Sequence, residues 1–133
     1  MKEKRWKTSN CTVYNVGYHL IWCPKYRRKV LVGKVVDRLR DLFIKKSAEM
    51  GVEIVSMEIM PDHVHLFVKA SPVDSPHWIV QQLKGYSSRI MRREFKHLVT
   101  KIPSLWTRSY YVESVGHISE ETIRRYIEEQ RGR

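Results

Sequence analysis

The chain has 133 residues, the size of one domain with a single hydrophobic core. Apolar residues make up 42% of the chain and recur in regular patterns, which excludes an intrinsically disordered protein. The 25 lysines and arginines outnumber 14 acidic residues, so the net charge of +11 favours a polyanionic partner, with nucleic acid first. No stretch approaches the length of a membrane-spanning helix, and the basic N-terminus without an apolar run predicts a cytoplasmic protein.

The first half of the chain predicts three strands and one helix. Residues 12–25 are rich in β-branched and aromatic side chains and predict a first strand. Residues 35–50 repeat apolar side chains at helical spacing, and Gly51 follows as a suitable helix end. A Pro-Asp turn joins the next two predicted strands into a hairpin, and these strands are residues 52–60 and 63–70.

The second half predicts a helix, a fourth strand and a C-terminal helix. Ser75 can cap the first of these helices, with Pro76 at its first helical position. Ser119 can cap the last helix in the same way. The predicted bounds are 75–98 for the first helix, 105–116 for the strand and 118–133 for the last helix.

The predicted elements follow the order β-α-β-β-α-β, with one more helix at the C-terminus. This order is typical of an α+β ferredoxin-like (split β-α-β, RRM-like) sandwich, in which one antiparallel sheet carries two helices on one face. The other face of such a sheet is available for another use. We therefore expect a single domain over residues 1–133, with the ferredoxin-like core at 1–116 and the C-terminal helix at 117–133.

The stretch "MPDHVHLFV" places two histidines inside an apolar run, at His63 and His65. Side chains alternate along a strand, so both histidines face the side opposite to the aliphatic residues between and after them. Two imidazoles spaced about 7 Å apart along a strand can share one metal ion if their rings lean together. The structural alternative is a pair of polar side chains on a wet sheet face, and the three-residue spacing alone leaves both open.

The last predicted helix carries a narrow stripe at i, i+3, i+4 and i+7, formed by Ile123, Tyr126, Ile127 and Gln130. In the structural alternative, Tyr126 and Gln130 only flank a packing stripe of two isoleucines. Such a stripe buries little apolar area and holds a helix weakly on packing alone. This favours a second interpretation, in which Gln130 offers an amide oxygen to a metal and Tyr126 places a phenol beside it.

These segments resemble the single-tyrosine transposases of the HUH superfamily, of the IS-two-hundred/IS-six-hundred-and-five insertion-sequence type. The stretches that carry the resemblance are "YHLIWCPKYRRKVL", "PDHVHLFV", "LWTRSYYVESVG" and "RRYIEEQ". His63, Val64 and His65 match the histidine–hydrophobe–histidine motif that names the superfamily. The similarity covers nearly the whole chain. It implies transposase chemistry on single-stranded DNA with hairpin-forming element ends, a metal held by the histidines and Gln130, and a homodimer with exchanged C-terminal helices.

The chemistry that the resemblance implies assigns one role to each of these residues. Tyr126 as nucleophile gives a covalent phosphotyrosine, which keeps the bond energy so that a later 3′-OH can rejoin the strands. Tyrosine is protonated at neutral pH, so a nearby metal ion has to assist its ionisation. Neutral ligands on a loose site suit Mg²⁺ or Mn²⁺, although imidazoles do not exclude zinc. Asp62 is expected in a turn or in a role that supports the histidines, and not as a ligand.

Two basic clusters are candidates for DNA binding. They are Lys25, Arg27, Arg28 and Lys29 after the first strand, and Arg89, Arg92, Arg93 and Lys96 on the second helix. Each residue alone is expected to be a solvated charge, but as clusters they supply salt-sensitive affinity for phosphates. Three aromatic residues could stack on bases, but packing in the core is expected for each of them; they are Trp22, Tyr86 and Trp106.

Three rival functions remain open at the level of sequence. A domesticated HUH nuclease that acts on repeated palindromes would keep the same chemistry without mobilising itself. A non-catalytic ferredoxin-like nucleic-acid-binding domain explains the fold and charge but not the histidine pair. A metal-dependent hydrolase without a covalent intermediate would still cut DNA after a Tyr126→Phe substitution.

Overall fold

The computed structural model describes residues 7–8, 13–14, 16–115 and 128 of the chain. Its strands and helices are β1 (Lys7–Thr8), β2 (Val13–Tyr14), β3 (Val16–Trp22), α1 (Lys34–Glu49), β4 (Glu53–Met60), β5 (His63–Ala70), α2 (Pro76–Glu94), α3 (His97–Thr100) and β6 (Tyr111–Val115). A 3-10 turn at Lys25–Arg27 follows β3. Apart from Glu128, which is helical, the predicted C-terminal helix lies outside the described residues.

Four strands form one antiparallel sheet in the order β4-β5-β3-β6, and β1 pairs with β2 in a separate two-stranded sheet. With α1 and α2 inserted between the strands, this is the β-α-β-β-α-β succession of the ferredoxin-like sandwich. The predicted fold class is therefore confirmed. No helix in the described part of the chain combines the length and apolar character needed to cross a bilayer.

The ends of both long helices follow from local chemistry. Gly51 takes a positive φ of 71° just after α1, a conformation that costs glycine little. Ser75 caps α2, since its Oγ accepts a hydrogen bond of 3.0 Å from the backbone N–H of Trp78, and Pro76 is the first helical residue. Four apolar residues that recur at helical spacing in α1 are buried; they are Val35, Leu39, Leu42 and Phe43.

Three predicted elements have other bounds in the structure. The first strand, predicted over residues 12–25, is β3 at Val16–Trp22, while Val13–Tyr14 forms β2 of the other sheet and Lys25 begins the 3-10 turn. The second helix ends at Glu94, because Phe95 has extended backbone, and Lys96 therefore lies beyond α2. The fourth strand begins only at Tyr111, and Trp106 contributes no more than an isolated bridge to Pro24. Before β6, the carbonyls of residues 107–109 accept hydrogen bonds from the Lys84 ammonium, which takes the place of strand pairing there.

The two faces of β5 differ as the alternation predicts. Val64, Leu66 and Val68 are fully buried in the main core, which includes residues of both α1 and α2. His63, His65 and Phe67 lie on the opposite face, and Phe67 packs in a separate small cluster. Trp22 and Trp106 belong to the main core with their rings 6.0 Å apart, which confirms core packing for both.

The helix-free face of the sheet is less open than expected. Its central side chains are nearly inaccessible: the exposed fractions are 1% for His19 and Phe67, 5% for Lys69 and 6% for His65. The structural alternative for the histidine pair, two polar groups on a wet sheet face, therefore does not describe His65. A buried imidazole needs either a polar partner or a function.

Candidate active site

The rings of His63 and His65 lean together on the helix-free face of β5. Their centroids are 4.6 Å apart and their planes are inclined at 58°. Since residues two apart on a strand are separated by about 7 Å along its axis, the side chains converge from their backbone positions. This convergence is what two imidazoles need in order to share one metal ion.

His63 is held by the aspartate that precedes it. Asp62 Oδ1 lies 2.6 Å from His63 Nδ1, and because a carboxylate can only accept, the imidazole nitrogen donates. The Nε2 nitrogen is then the one available to a ligand. The hydrogen bond with His63 lowers the pKa of the Asp62 carboxyl, and the nearby Arg27 charge adds to that lowering. Asp62 thus supports His63 through a hydrogen bond, as the sequence predicts.

His65 is held by burial. Its Nδ1 is enclosed and has no hydrogen-bond partner among the described residues. Burial first, and then the neighbouring His63 and His19, lower the pKa of the His65 imidazole to about 4. The ring is therefore neutral near pH 7, the form in which imidazole binds metals.

A third histidine, which the sequence analysis missed, stands beside the pair. The His19 ring centroid lies 5.6 Å from that of His65, and burial lowers the pKa of His19 while Glu113 opposes the shift. The only sequence signal was the alternation within β3, which places His19 on one face but not beside any particular residue of β5. Their proximity depends on the register, in which His19 pairs with Phe67 and Ile21 with His65.

Buried Glu58, also missed, lies directly opposite His65 in the β4–β5 ladder. Its charge tends to raise the pKa of the His65 imidazole, and this effect is outweighed by burial. The face around His65 is therefore polar as well as enclosed.

The described residues fit a divalent metal ion only in part. They supply two converging imidazoles, one of them with a buried nitrogen that has no hydrogen-bond partner among the described residues, and this donor type suits a divalent transition metal. In the described ranges, no group of three or more His, Cys, Asp or Glu side chains is arranged to hold a metal. The proposed third ligand, Gln130, and the proposed nucleophile, Tyr126, lie outside those ranges, so their placement stays a prediction.

The first basic cluster lies near the histidine pair. Arg27 forms an ion pair with Asp62, with 3.1 Å between Arg27 Nη2 and Asp62 Oδ2. Lys25 is half-buried with its Nζ 5.5 Å from the centre of the Tyr26 ring, while Arg28 and Lys29 are exposed. This loop can therefore contact a DNA strand that has a phosphate at the histidines.

The second basic cluster does not share that position. It lies on and just after α2, which covers the other face of the sheet. Arg92 is half-buried with a long 3.4 Å contact to the Ile102 carbonyl, and Arg89 lies 5.8 Å from the centre of the Tyr86 ring. Arg93 and Lys96 are exposed. Any contact of this cluster with DNA stays a prediction, and it is separated from the histidine face by the sheet.

The fold and the site together define a ferredoxin-like domain with a histidine pair on its helix-free face. Residues 12–130 match the family described as "Transposase IS200 like". The ISDra2 transposase TnpA of Deinococcus radiodurans is 43% identical over 120 residues, covering 89% of this chain and 86% of that protein. The transposase for insertion sequence element IS200 of Salmonella typhimurium is 31% identical over 121 residues, covering 90% and 79%.

Solved structures agree with this assignment. A crystal structure ascribed to a transposase of Deinococcus radiodurans R1 has a TM-score of 0.76 and 41% identity, covering 93% of this chain and 97% of that one. A REP-associated tyrosine transposase bound to a REP hairpin has a TM-score of 0.60 and 13% identity over 90% of this chain and 67% of that one, a likeness of fold alone. The chain belongs to the IS200-like transposase family, and it is a DNA-processing enzyme of transposition.

Proposed function

We propose that this transposase cleaves and rejoins single-stranded DNA at insertion-sequence ends through a covalent 5′-phosphotyrosine on Tyr126, with help from a divalent metal. The observation that carries the proposal is the convergence of His63 and His65, with ring centroids 4.6 Å apart, in a chain of the IS200-like family. Hairpin-forming element ends are the proposed substrate.

In the proposed reaction the Tyr126 oxygen attacks the scissile phosphorus and loses its proton. The bond from phosphorus to the 3′ oxygen breaks, and the leaving 3′ oxygen takes up a proton. The phosphotyrosine then reacts with an incoming 3′-OH, which restores a phosphodiester and frees Tyr126. Because each step exchanges one phosphoester for another, rejoining needs no nucleotide cofactor.

The histidines and Gln130 are proposed to hold the metal, Mg²⁺ or Mn²⁺. When bound, the ion supplies positive charge that polarises the phosphate and favours the ionised form of tyrosine. His63 and His65 contribute neutral ring nitrogens, so they do not offset that charge. His65 remains neutral near pH 7 because its pKa is about 4.

The proposed assembly is a homodimer in which the C-terminal helices are exchanged, so that Tyr126 of one protomer meets His63 and His65 of the other. Support comes from the family resemblance and from the sequence of the C-terminal segment, whose thin apolar stripe is predicted to hold a helix only weakly to its own domain.

The test of the proposed chemistry is the formation of a covalent adduct. The full chain is incubated with labelled single-stranded element ends and Mg²⁺, then denatured and run on a gel. We expect an adduct that Tyr126→Phe and metal removal both abolish, while DNA binding survives in the variant.

Tyr111→Phe is the matched control, because Tyr111 is an exposed tyrosine of β6 whose ring lies 6.5 Å from that of His19 on the same sheet face. An adduct mapped to Tyr111 would overturn the assignment of the nucleophile. Cleavage by Tyr126→Phe without any adduct would instead indicate a metal-dependent hydrolase.

A further inference from the structure

A chain of polar contacts runs from the loop after β3 to the histidine pair. Arg27 Nη2 lies 3.1 Å from Asp62 Oδ2, and Asp62 Oδ1 lies 2.6 Å from His63 Nδ1. The two oxygens of one carboxylate thus serve two different partners. The backbone of Asp62 is fixed as well, since it occupies the two-residue turn between Met60 and His63, which pair directly in the β4–β5 ladder.

The contact with His63 determines which ring nitrogen is free. A carboxylate has no hydrogen to donate, so Nδ1 of His63 must carry one, and the lone pair of the neutral ring then lies on Nε2. Metal-binding histidines in proteins commonly donate their other nitrogen to a carboxylate in this way, which fixes both the tautomer and the ring orientation.

The contact with Arg27 depends on an unusual turn. Tyr26 and Arg27 have φ values of 59° and 51°, a left-handed conformation that is unfavourable for residues other than glycine. The turn is tied down by hydrogen bonds of 2.9 Å from Arg27 N to the Pro24 carbonyl and from Lys25 N to the Leu105 carbonyl. The Arg27 side chain is 69% exposed, and an exposed ion pair stabilises a protein by only about 0–1 kcal/mol. Stability therefore explains this geometry poorly, whereas orientation of Asp62 explains it directly.

We infer that Asp62 and Arg27 are positioning residues for the metal-binding histidine: Asp62 holds His63 in the Nδ1–H form with Nε2 presented to the metal, and Arg27 holds Asp62. This inference rests on the proposed function, because it takes His63 to be a metal ligand. It gives Arg27 a role apart from the phosphate contact that the sequence predicts for it.

The first test measures Mn²⁺ binding to the full chain without DNA, by electron paramagnetic resonance of the free ion. Loss of such a supporting carboxylate weakens metal binding by about 10–100-fold, and we expect this of Asp62→Ala. Asp62→Asn should weaken binding less, because its amide oxygen can still accept from Nδ1–H. Asp41→Asn is the charge-matched control, since Asp41 is an exposed carboxylate of α1, and it should leave the affinity unchanged.

The second test reads the tautomer in the metal-free protein, so that it is independent of the loaded enzyme. Long-range ¹H–¹⁵N spectra should show His63 protonated at Nδ1 in the wild type and lose that preference in Asp62→Ala. A role of Asp62 limited to the turn would leave the His63 tautomer unchanged. Unfolding curves of each variant establish that it is folded. If Asp62→Ala does not fold, Asp62→Asn takes its place in the measurement of the tautomer.

The third test addresses Arg27. Arg27→Ala should weaken Mn²⁺ binding less than Asp62→Ala does, and it should add nothing in the Asp62→Ala background, because Arg27 acts through Asp62. Arg28→Ala, the neighbouring exposed arginine, is the control and should not change the metal affinity.

The outcomes separate this inference from the proposed function. If His63→Ala abolishes Mn²⁺ binding while both Asp62 variants bind as the wild type does, the positioning role is wrong and the metal site stands. If His63→Ala leaves binding unchanged, the proposed metal site fails and the inference falls with it.

Discussion

At the scale of single residues, the two histidines of β5 are held in different ways. His63 is partly accessible and is oriented by a hydrogen bond to Asp62, whereas His65 is buried with one nitrogen unbonded among the described residues. The first arrangement fixes a ring by a polar partner and the second by packing. For His65, burial also determines the response to acid.

His65 should make the metal-free protein sensitive to mild acid. Its pKa is about 4 in the folded protein, whereas the ordinary pKa of a histidine, expected in the unfolded chain, is 6.5. Between these values the unfolded chain binds a proton that the folded protein does not, so acidification favours unfolding. The stabilisation is complete above about pH 6.5 and is lost as the pH falls toward 4. We expect a loss of about 1 kcal/mol between about pH 7 and about pH 5, after discounting for solvent screening.

Urea unfolding with a metal chelator present measures this effect, and His65→Gln is the variant to compare. The glutamine does not titrate, so the loss of stability between the two pH values should shrink. A smaller dependence of the unfolding free energy on pH remains because of His19, whose pKa is also lowered by burial. An identical dependence of the unfolding free energy on pH in the wild type and in His65→Gln would contradict the assignment of the acid sensitivity to His65.

The sequence predicted those parts of the candidate site that depend on local geometry. Alternation along a strand was enough to place His63 and His65 on one face, and the turn position of Asp62 anticipated its supporting contact. His19 was not predictable, because its distance to His65 depends on the pairing of β3 with β5. The partner of Arg27 depends on two left-handed residues in sequence, which no local preference favours.

At the scale of elements, the Phe67 ring of β5 packs over Gly17 of β3 on the helix-free face of the sheet. A methyl group added at Gly17 would lie 2.6 Å from Phe67 Cζ and 3.3 Å from the Val115 carbonyl oxygen. Phe67 is 1% exposed, so its ring has little room to move. The absence of a side chain at Gly17 is therefore a packing requirement of the sheet.

Gly17→Ala should destabilise the protein. Overpacking costs about 1–3 kcal/mol, and the gain from restricting the unfolded chain is only about 0.4–1 kcal/mol. Gly85→Ala is the matched control: a methyl group at this exposed position of α2 meets no described atom within 4 Å, and alanine favours a helix by about 1 kcal/mol. Urea midpoints should move in opposite directions, and a stabilised Gly17→Ala would contradict the packing argument.

The elements themselves were predicted where local signals are strong. Both helices were predicted from periodic apolar residues, together with the glycine after α1 and the Ser75 cap of α2. The hairpin was predicted from the Pro-Asp turn. The end of α2 at the extended residue Phe95 and the late start of β6 were both missed, and the second depends on distant contacts. Lys84 of α2 binds the carbonyls before β6, and no pattern within residues 105–116 shows that bond.

At the scale of the whole molecule, the positive charge is distributed over both sides of the sheet. The net charge is +11, and of the two basic clusters the loop after β3 lies beside the histidine pair, while the second cluster lies on the helical side. A DNA strand bound at the histidines would therefore lie closer to the loop cluster than to the α2 cluster. Any contact of the α2 cluster with DNA stays a prediction, and from its side of the sheet it would involve a part of the substrate distant from the scissile phosphate.

The proposed exchange of C-terminal helices predicts that two inactive variants restore activity together. One protomer carries Tyr126→Phe and the other carries His63→Ala, which is preferred to a change at buried His65 because His63 is partly accessible. In an exchanged dimer, the intact Tyr126 of the His63→Ala chain meets the intact histidines of the Tyr126→Phe chain. Random pairing makes half of the dimers mixed with one complete site each, so about a quarter of the sites should work. If the two chains carry tags of different size, the DNA adduct must appear on the His63→Ala chain alone.

With sites built within one chain, every site lacks either the nucleophile or a ligand. A mixture that exchanges subunits, as measured by capture of one tag with the other, and forms no adduct would contradict the exchanged arrangement.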